Sequence, residues 1–521
     1  MSELLLGIDV GTSAVKSGVF DLGGQLLGIG RSPYRTSSPR AGWAECDPQL
    51  WWRGFIESLA EACDKAGVSA AEIGAIGVGV LYPAVAPLDA NGQALCPAIL
   101  YCDQRSLGQV RTIESKIPRQ EYQSIIGNTL VPGTCAATSM MWFRDERPAE
   151  FASAKALGFA NTYITSRLTG NFCVDPSMAA LSGLADINDP WRWSARLCEV
   201  LEIEMAKLPR IAGSAEVIGQ VTSPAAAQTH LKAGTAVVCG CGDVPASALG
   251  AGAALPGTVV YIAGSTDCLS VPMRRPTSDR RWVNSAYVPR GMWMGVGTTS
   301  SSGMSVEWFV REVLASSGAA GLGEMTKLAA SSPPGANRLL YLPYLQGERT
   351  PVWDPLARGM FIGLTSATTR ADVARSVLEG TSFALRQVIE CLQSVLGEDV
   401  KEIRAVGGGT ANELWNRIKA SVMNKSFEVL TFQETGSLGA ALLAGIGTSR
   451  YASLEEAAAL ARSVAGASLV EPDKKCLAIY EELFGIYSTL YPQTRDIAHA
   501  LADGADMARG SKDTSNRESP R

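Results

Sequence analysis

Histidine is nearly absent from these 521 residues, which contain only His230 and His499. The twelve cysteines form no C-x-x-C pair and no Cys/His cluster, which argues against a structural zinc site. The closest pair, Cys239 and Cys241, reads as small buried residues at a strand end, and all the thiols are expected reduced. Charge of one sign is also lacking. Against 51 acidic residues stand 46 basic ones, a net charge of −5 that sets up no field to attract nucleic acid or an anionic membrane. No stretch reaches the ~18 uninterrupted apolar residues a membrane span needs, because prolines, glycines and Asp267 break the apolar segment around Ala251–Pro272. The N-terminus has no basic region, and Asp9 ends its apolar run early, so no signal peptide is expected and the location is read as cytoplasmic. These absences leave small-molecule chemistry.

Glycine is plentiful: its 53 residues exceed an average usage of ~7% and point to many tight turns and close backbone approaches. The length predicts two large domains. Leu4–Asp9, the turn Gly11-Thr12-Ser13 and the return Val15–Phe20 read as a β-hairpin, with a further strand at Gln25–Gly30. The spacing of Leu50, Trp51, Phe55, Leu59 and Cys63 predicts a helix over Pro48–Ala66, and Ile73–Val80 reads as a buried strand. Gly257–Pro272 echoes the first hairpin half a chain later, with the turn Gly264-Ser265-Thr266, as two similarly built domains would. Helices are expected at Arg370–Leu396, Glu413–Met423 and Ser437–Ile446, and strands at Leu339–Leu345, Ile403–Val406 and Phe427–Phe432, which is α/β alternation. The polar end, residues 502–521, is expected to be a disordered tail.

Phosphate chemistry needs backbone N–H groups that approach oxyanions closely, and glycine permits this. Asp9-Val10-Gly11-Thr12-Ser13 combines a carboxylate able to organise Mg²⁺ with glycine and hydroxyl donors, and Lys16 lies across the returning strand. A turn whose aspartate merely caps it is the alternative. No P-loop is present, and Gly77-Val78-Gly79-Val80-Leu81-Tyr82 lacks the third glycine of a dinucleotide fingerprint. Gly407-Gly408-Gly409-Thr410-Ala411-Asn412 joins a strand to a helix, where consecutive glycines let a flat ligand lie against backbone. Asp243 closes the run Val237–Gly242 and opens a helix over Val244–Gly252. Either it serves chemistry at the carboxyl end of a strand or it is a helix cap.

In order and spacing, these segments make the chain resemble the FGGY carbohydrate kinases, of the actin, hexokinase and Hsp70 superfamily. The resemblance also takes in Gly42-Trp43-Ala44-Glu45-Cys46-Asp47-Pro48, Pro97-Ala98-Ile99-Leu100-Tyr101-Cys102-Asp103-Gln104-Arg105-Ser106, Leu342–Pro351, Arg358–Leu364 and Leu438-Gly439-Ala440-Ala441. It implies an α/β fold of two actin-like (ribonuclease H-like) ATPase domains flanking a central cleft. Residues 1–247 would hold mainly the sugar and 248–490 mainly ATP. By the same resemblance Asp243 is the catalytic proton acceptor, and Asp9 with Asp243 serves Mg²⁺. Gly11, Thr12, Ser13 and Lys16 belong to the first phosphate hairpin and Gly264, Ser265 and Thr266 to the second. Gly407, Gly408, Gly409 and Asn412 flank the nucleotide, while Leu81, Tyr82, Asp103, Gln104, Arg105 and Asp243 face the sugar. The implied ligands are ATP and a small carbohydrate, with neither nucleic acid nor membrane as a partner, and the resemblance allows a homodimer.

The chain is most similar to the xylulose kinase branch, which implies a ketopentose such as xylulose as acceptor. However, Gly79-Val80-Leu81-Tyr82-Pro83 stands where that branch has Gly-Gln-Met-His-Gly, so a histidine that bonds sugar hydroxyls is replaced by Tyr82. Ribulose, another ketose, a sugar acid, glycerol or a four-carbon polyol are the alternative substrates. An ATP-gated binding protein like Hsp70 or actin is the alternative of another class.

Overall fold

The computed structural model describes residues 3–397 and 399–514. They divide into two compact units, neither of them continuous in sequence. The first comprises residues up to Thr258 together with Ser270–Val296 and Phe432–Gly466. The second comprises Val259–Leu269, Gly297–Thr431 and the chain from Ala467 onward.

In the first unit, Leu4–Val10 is a central strand with Ala14–Asp21 antiparallel on one side and Ile73–Val80 parallel on the other. Leu26–Pro33 extends the sheet beyond Ala14–Asp21, while Ala236–Val238 and Cys241–Gly242 both pair in parallel with Ile73–Val80. Consecutive strand residues point to opposite faces. The Ser17 hydroxyl meets that of Ser58 on helix Pro48–Ala66 at 2.7 Å, whereas a side chain on Gly18 would meet Ser437 on helix Thr435–Gly447. The two helices therefore cover opposite faces of the sheet. Helix Pro48–Ala66 has the predicted limits because Asp47 caps its start, Pro48 fits the first turn, and Gly67 ends it at φ 67°.

Helix Thr435–Gly447 lies against the sheet at backbone distance. A Cβ on Gly7 would come within 1.8 Å of the Ser437 carbonyl, and one on Gly77 within 1.8 Å of that of Ala440. On another side of the helix, Gly439 meets the Ala246 carbonyl at 1.8 Å by the same measure, and Gly250 meets that of Thr435 at 1.9 Å.

The second unit repeats the turn of the opening hairpin: Gly264-Ser265-Thr266 lies between strands Thr258–Ala263 and Asp267–Met273, of which this unit holds Val259–Ala263 and Asp267–Leu269, and Gly264 N–H donates to the Thr266 carbonyl at 3.1 Å. Strand order then runs through Glu402–Val406, Phe427–Leu430 and Ala467–Val470. Helix Arg370–Leu396 also matches its expected limits, opened by a Thr369/Asp372 capping box and ended by Gly397. Helix Glu413–Met423 is capped by Asn412. The expected strand Leu339–Leu345 is shorter, Leu340–Leu342, because Pro343 cannot extend the ladder. The final helix is Leu477–Thr514, so the expected tail begins within it, and residues 515–521 lie outside the described residues.

Gly439→Ala is expected to destabilise the protein by about 1–3 kcal/mol, because its Cβ meets backbone that has no side-chain rotamer to yield. Gly108→Ala, in helix Leu107–Lys116 with nothing within 4 Å, should instead be neutral or stabilising by about 0.5–1 kcal/mol. Urea midpoints of the two variants against the parent protein check the contrast.

Candidate active site

Three neighbouring parallel strands of the first unit end at one edge. Asp9 pairs in register with Gly79, and Cys241 also pairs with Gly79 from the other side. Leu81 N–H, just past the middle strand, donates to the Val10 carbonyl at 2.8 Å. Asp9, Leu81-Tyr82 and Asp243 are thereby delivered to the same carboxyl edge, where open α/β sheets bind ligands.

Asp243 is the first residue of helix Asp243–Gly250, and Gly242 is its cap position. The carboxylate accepts from the neighbouring Val244 N–H at 2.8 Å and makes no side-chain cap bond to the helix, so the helix-cap alternative does not describe it. Enclosure by protein, with the Asp9 charge nearby, raises its pKa to about 7. Asp9 is raised to about 6, again chiefly by burial, with Lys16 opposing and Glu434 adding to the rise. Lys16 is the cross-strand partner of Asp9 and donates to Glu434 Oε2 at 2.7 Å. A Cβ on Gly436 would meet Asp9 Oδ2 at 2.8 Å, so the first turn of helix Thr435–Gly447 abuts the carboxylate. Sequence reasoning missed Glu434 and Gly436. Glu434 stands just before the Leu438-Gly439-Ala440-Ala441 motif, but nothing local ties it to a hairpin more than 400 residues earlier.

The tip residues Thr12 and Ser13 are exposed. Tyr34 braces the turn, its hydroxyl donating to the Gly11 carbonyl and its N–H to that of Ser13. Tyr82 is partly buried, and its ring fills the space beside Gly242, where a Cβ would come within 1.8 Å. Its hydroxyl is 2.7 Å from Ser285 Oγ, and Ser177 Oγ accepts from Gly242 N–H at 3.0 Å. Tyr82 thus sits directly beside Asp243 with its polar tip already engaged. The Leu81 side chain, by contrast, belongs to the core.

Asp103 and Arg105 are interlocked rather than open. The buried Asp103 carboxylate accepts from Ala44 N–H at 2.6 Å, from Arg105 N–H at 2.7 Å and from Arg105 Nε at 2.9 Å. The Arg105 guanidinium also reaches Glu45 at 2.8 Å and lies 3.6 Å from the Trp43 ring centroid. Gln104 is the exposed member of the trio. Neither histidine approaches these groups: His230 ends a short helix at φ 59°, and His499 bonds Asp354 at 2.7 Å in the second unit.

Within the second unit, Gly264–Thr266 and Gly407–Gly409 come together. Gly407 has φ 104°, which favours glycine, and its Cβ would lie 2.5 Å from the carbonyl of Ala263, the residue before the turn. Asn412 caps the following helix through Oδ1, at 3.1 Å from Trp415 N–H, and its Nδ2 donates to Thr326 at 2.9 Å. Among the described residues no group of three or more His, Cys, Asp or Glu side chains is arranged to hold a metal ion, and no helix is long and apolar enough to cross a membrane.

Two glycine-and-hydroxyl hairpins, one in each unit, with a carboxylate opposite the first, define an actin-like ATPase fold. The profile of the FGGY family of carbohydrate kinases, N-terminal domain, matches residues 4–250, and that of its C-terminal domain matches 259–448. The chain belongs to this family: it is an ATP-dependent carbohydrate kinase of xylulokinase-like type. It is 29% identical to a xylulose kinase of Bacillus subtilis, over 96% of this chain and 99% of that one. It is 30% identical to the L-xylulose/3-keto-L-gulonate kinase of Escherichia coli, over 94% and 97%. The structure of a xylulose kinase from Rhodospirillum rubrum superposes with a TM-score of 0.86 at 29% identity, over 95% of this chain and 100% of that one.

The raised Asp243 pKa has a stability consequence. The native state holds this proton more tightly than the unfolded chain, so the group costs stability as pH rises from the ordinary carboxylate range through about 7. Asp243→Asn is expected to raise the melting temperature of the ligand-free protein at pH 8, by on the order of 2 kcal/mol of stability, and to leave it nearly unchanged at pH 4. Thermal unfolding at the two pH values decides; an equal gain at both would contradict the assignment.

Proposed function

We propose that the chain transfers the γ-phosphoryl group of ATP to a hydroxyl of a small ketose, a ketopentose such as xylulose, with Asp243 accepting the hydroxyl proton. The observation that carries this reading is the half-buried carboxylate of Asp243 at the carboxyl edge of the first sheet, whose proton affinity lies near neutrality and which accepts from the adjacent Val244 N–H. A general base works best with a pKa near the operating pH. Deprotonation of the sugar hydroxyl by Asp243 Oδ frees its oxygen to attack the γ-phosphorus in line, and the O–P bond to ADP breaks.

Asp9 and Asp243 fit Mg²⁺: two adjacent carboxylates, each raised in pKa and one raised further by the other, are relieved by a cation that takes few protein ligands and completes its shell with phosphate and water. When bound, the ion neutralises charge on the transferring phosphoryl group. Gly11, Thr12, Ser13 and Lys16 hold phosphate from the first hairpin, Gly264, Ser265 and Thr266 from the second, and Gly407–Gly409 with Asn412 flank the nucleoside. Residues 1–247 supply most sugar contacts and 248–490 most nucleotide contacts. Gln104 contacts the sugar, while Asp103 and Arg105 shape its loop. Tyr82 offers a ring face rather than a free donor, which favours an acceptor that places a C–H face there. The reading includes a cytoplasmic location, the homodimer that the family resemblance allows, and neither nucleic acid nor membrane as a partner.

Sugar-dependent ADP release, screened across ketoses, aldoses, polyols and sugar acids, is expected to be greatest with a ketopentose; a polyol or sugar acid as best substrate would overturn the substrate assignment. Asp243→Asn should lower kcat by at least about a thousandfold while ATP binding by calorimetry stays intact. Near-normal turnover in that variant would remove Asp243 from the role.

A further inference from the structure

A buried charge pair in the second unit has no part in the chemistry above. Asp267 directly follows the Gly264–Thr266 turn, and Lys419 lies on helix Glu413–Met423, which follows the Gly407–Gly409 run. Both side chains are fully buried. Lys419 Nζ sits 3.7 Å from the Trp415 ring centroid and 5.2 Å from that of Tyr261, with no hydrogen-bond acceptor among the described residues. Asp267 Oδ1 accepts from the Tyr261 hydroxyl at 2.9 Å. Oδ2 has no hydrogen bond of ordinary length, and the Ser302 hydroxyl lies near the carboxylate. The Tyr261 ring thus lies between the two groups, bonded to one and under the other.

Such a pair is a poor source of stability. Two charges have left water, their remaining hydrogen bonds are unmade, and neutral residues of similar volume replace pairs of this kind at little or no cost. Its connections, however, run to both loops assigned to the nucleotide. Asp267 and Thr299 exchange two hydrogen bonds, at 3.0 and 3.1 Å, which fix the residue just after the turn. Helix Ser302–Trp308 then grips the turn itself: Gly303 N–H donates to the Gly264 carbonyl at 3.2 Å, and Met304 N–H to that of Ser265 at 3.0 Å. On the other side, Asn416, on the same helix as Lys419, donates to the Thr410 carbonyl at 2.7 Å, and Thr410 in turn bonds the Gly407 carbonyl. Attraction across a low-dielectric interior is strong and acts over more than contact distance.

We infer that Asp267 and Lys419 are positioning residues for ATP: their attraction sets the separation between the Gly264–Thr266 hairpin and the Gly407–Gly409 run. The inference rests on the reading of those two loops as the nucleotide side. A shift of about 1 Å in such a loop weakens binding without touching the acceptor side of the reaction.

The test compares Asp267→Asn, Lys419→Met and the double variant Asp267→Asn/Lys419→Met. The double variant leaves no lone buried charge, so it is the informative protein should either single variant fail to fold. Its KM for ATP is expected to rise about tenfold, with kcat at saturating ATP and the KM for sugar within about twofold of the parent. Singles that fold should each show a similar rise, so that the effects do not multiply. An unchanged KM for ATP in the double variant, or equal rises in both KM values, overturns the inference. Ser265→Ala/Thr266→Ala separates the two claims. If this hairpin variant leaves the KM for ATP unchanged, the hairpin reading itself fails, and the inference with it. If it raises that KM while the charge-pair variant does not, only the positioning role fails.

Discussion

The close approach of helix Thr435–Gly447 to the first sheet and to helix Asp243–Gly250 is the contact on which the candidate active-site edge depends. At Gly7, Gly77, Gly439 and Gly250 any side chain would run into a carbonyl of the opposing backbone. Four such sites hold the helix in one position, since a packed interface without side chains has no rotamers through which to relax. That position brings Gly436 against the Asp9 carboxylate and Glu434 to Lys16. It also seats helix Asp243–Gly250, whose first residue is the candidate base. A segment late in the chain thereby completes a site begun by residue 9.

The electrostatics follow from this packing. Asp9 and Asp243 are drawn to one edge from the two parallel strands that flank Ile73–Val80, partly shielded from water and close enough that one charge opposes the other. Each therefore keeps its proton to higher pH than an exposed carboxylate. A proton or a cation beside the pair relieves that opposition, because either supplies positive charge. Lys16 moderates the burden but is itself tied to Glu434.

Much of the fold was legible because its signals are local. Pro48–Ala66, Ile73–Val80, Arg370–Leu396 and Glu413–Met423 match their expected limits, since caps, prolines and apolar spacing act within a few residues. Both hairpins and their turns were readable for the same reason. The site was legible in its types but not in its engagements. Asp103 and Arg105 were expected to face the sugar, yet they spend their polar atoms on Ala44, Glu45 and each other. Leu81 was grouped with Tyr82, but its side chain packs into the core just past the end of strand Ile73–Val80. The Asp267–Lys419 pair spans about 150 positions, and neither residue carries a local sign of its partner.

The class of chemistry came from the order and spacing of short segments, which carry the family resemblance: two glycine-and-hydroxyl hairpins, a carboxylate after a glycine-rich strand and a glycine run between strand and helix, each open to a purely structural reading on its own. Those are properties of short segments, set by backbone freedom and side-chain type. Tertiary structure decided which groups remain free to act. Burial and long-range packing determined that Asp243 holds its proton to about 7, that the Tyr82 hydroxyl is spent on Ser285, and that residues 432–466 complete the first unit. Proton affinity and hydrogen-bond capacity depend on what surrounds a group in space, and the chain that surrounds these was hundreds of residues away in sequence.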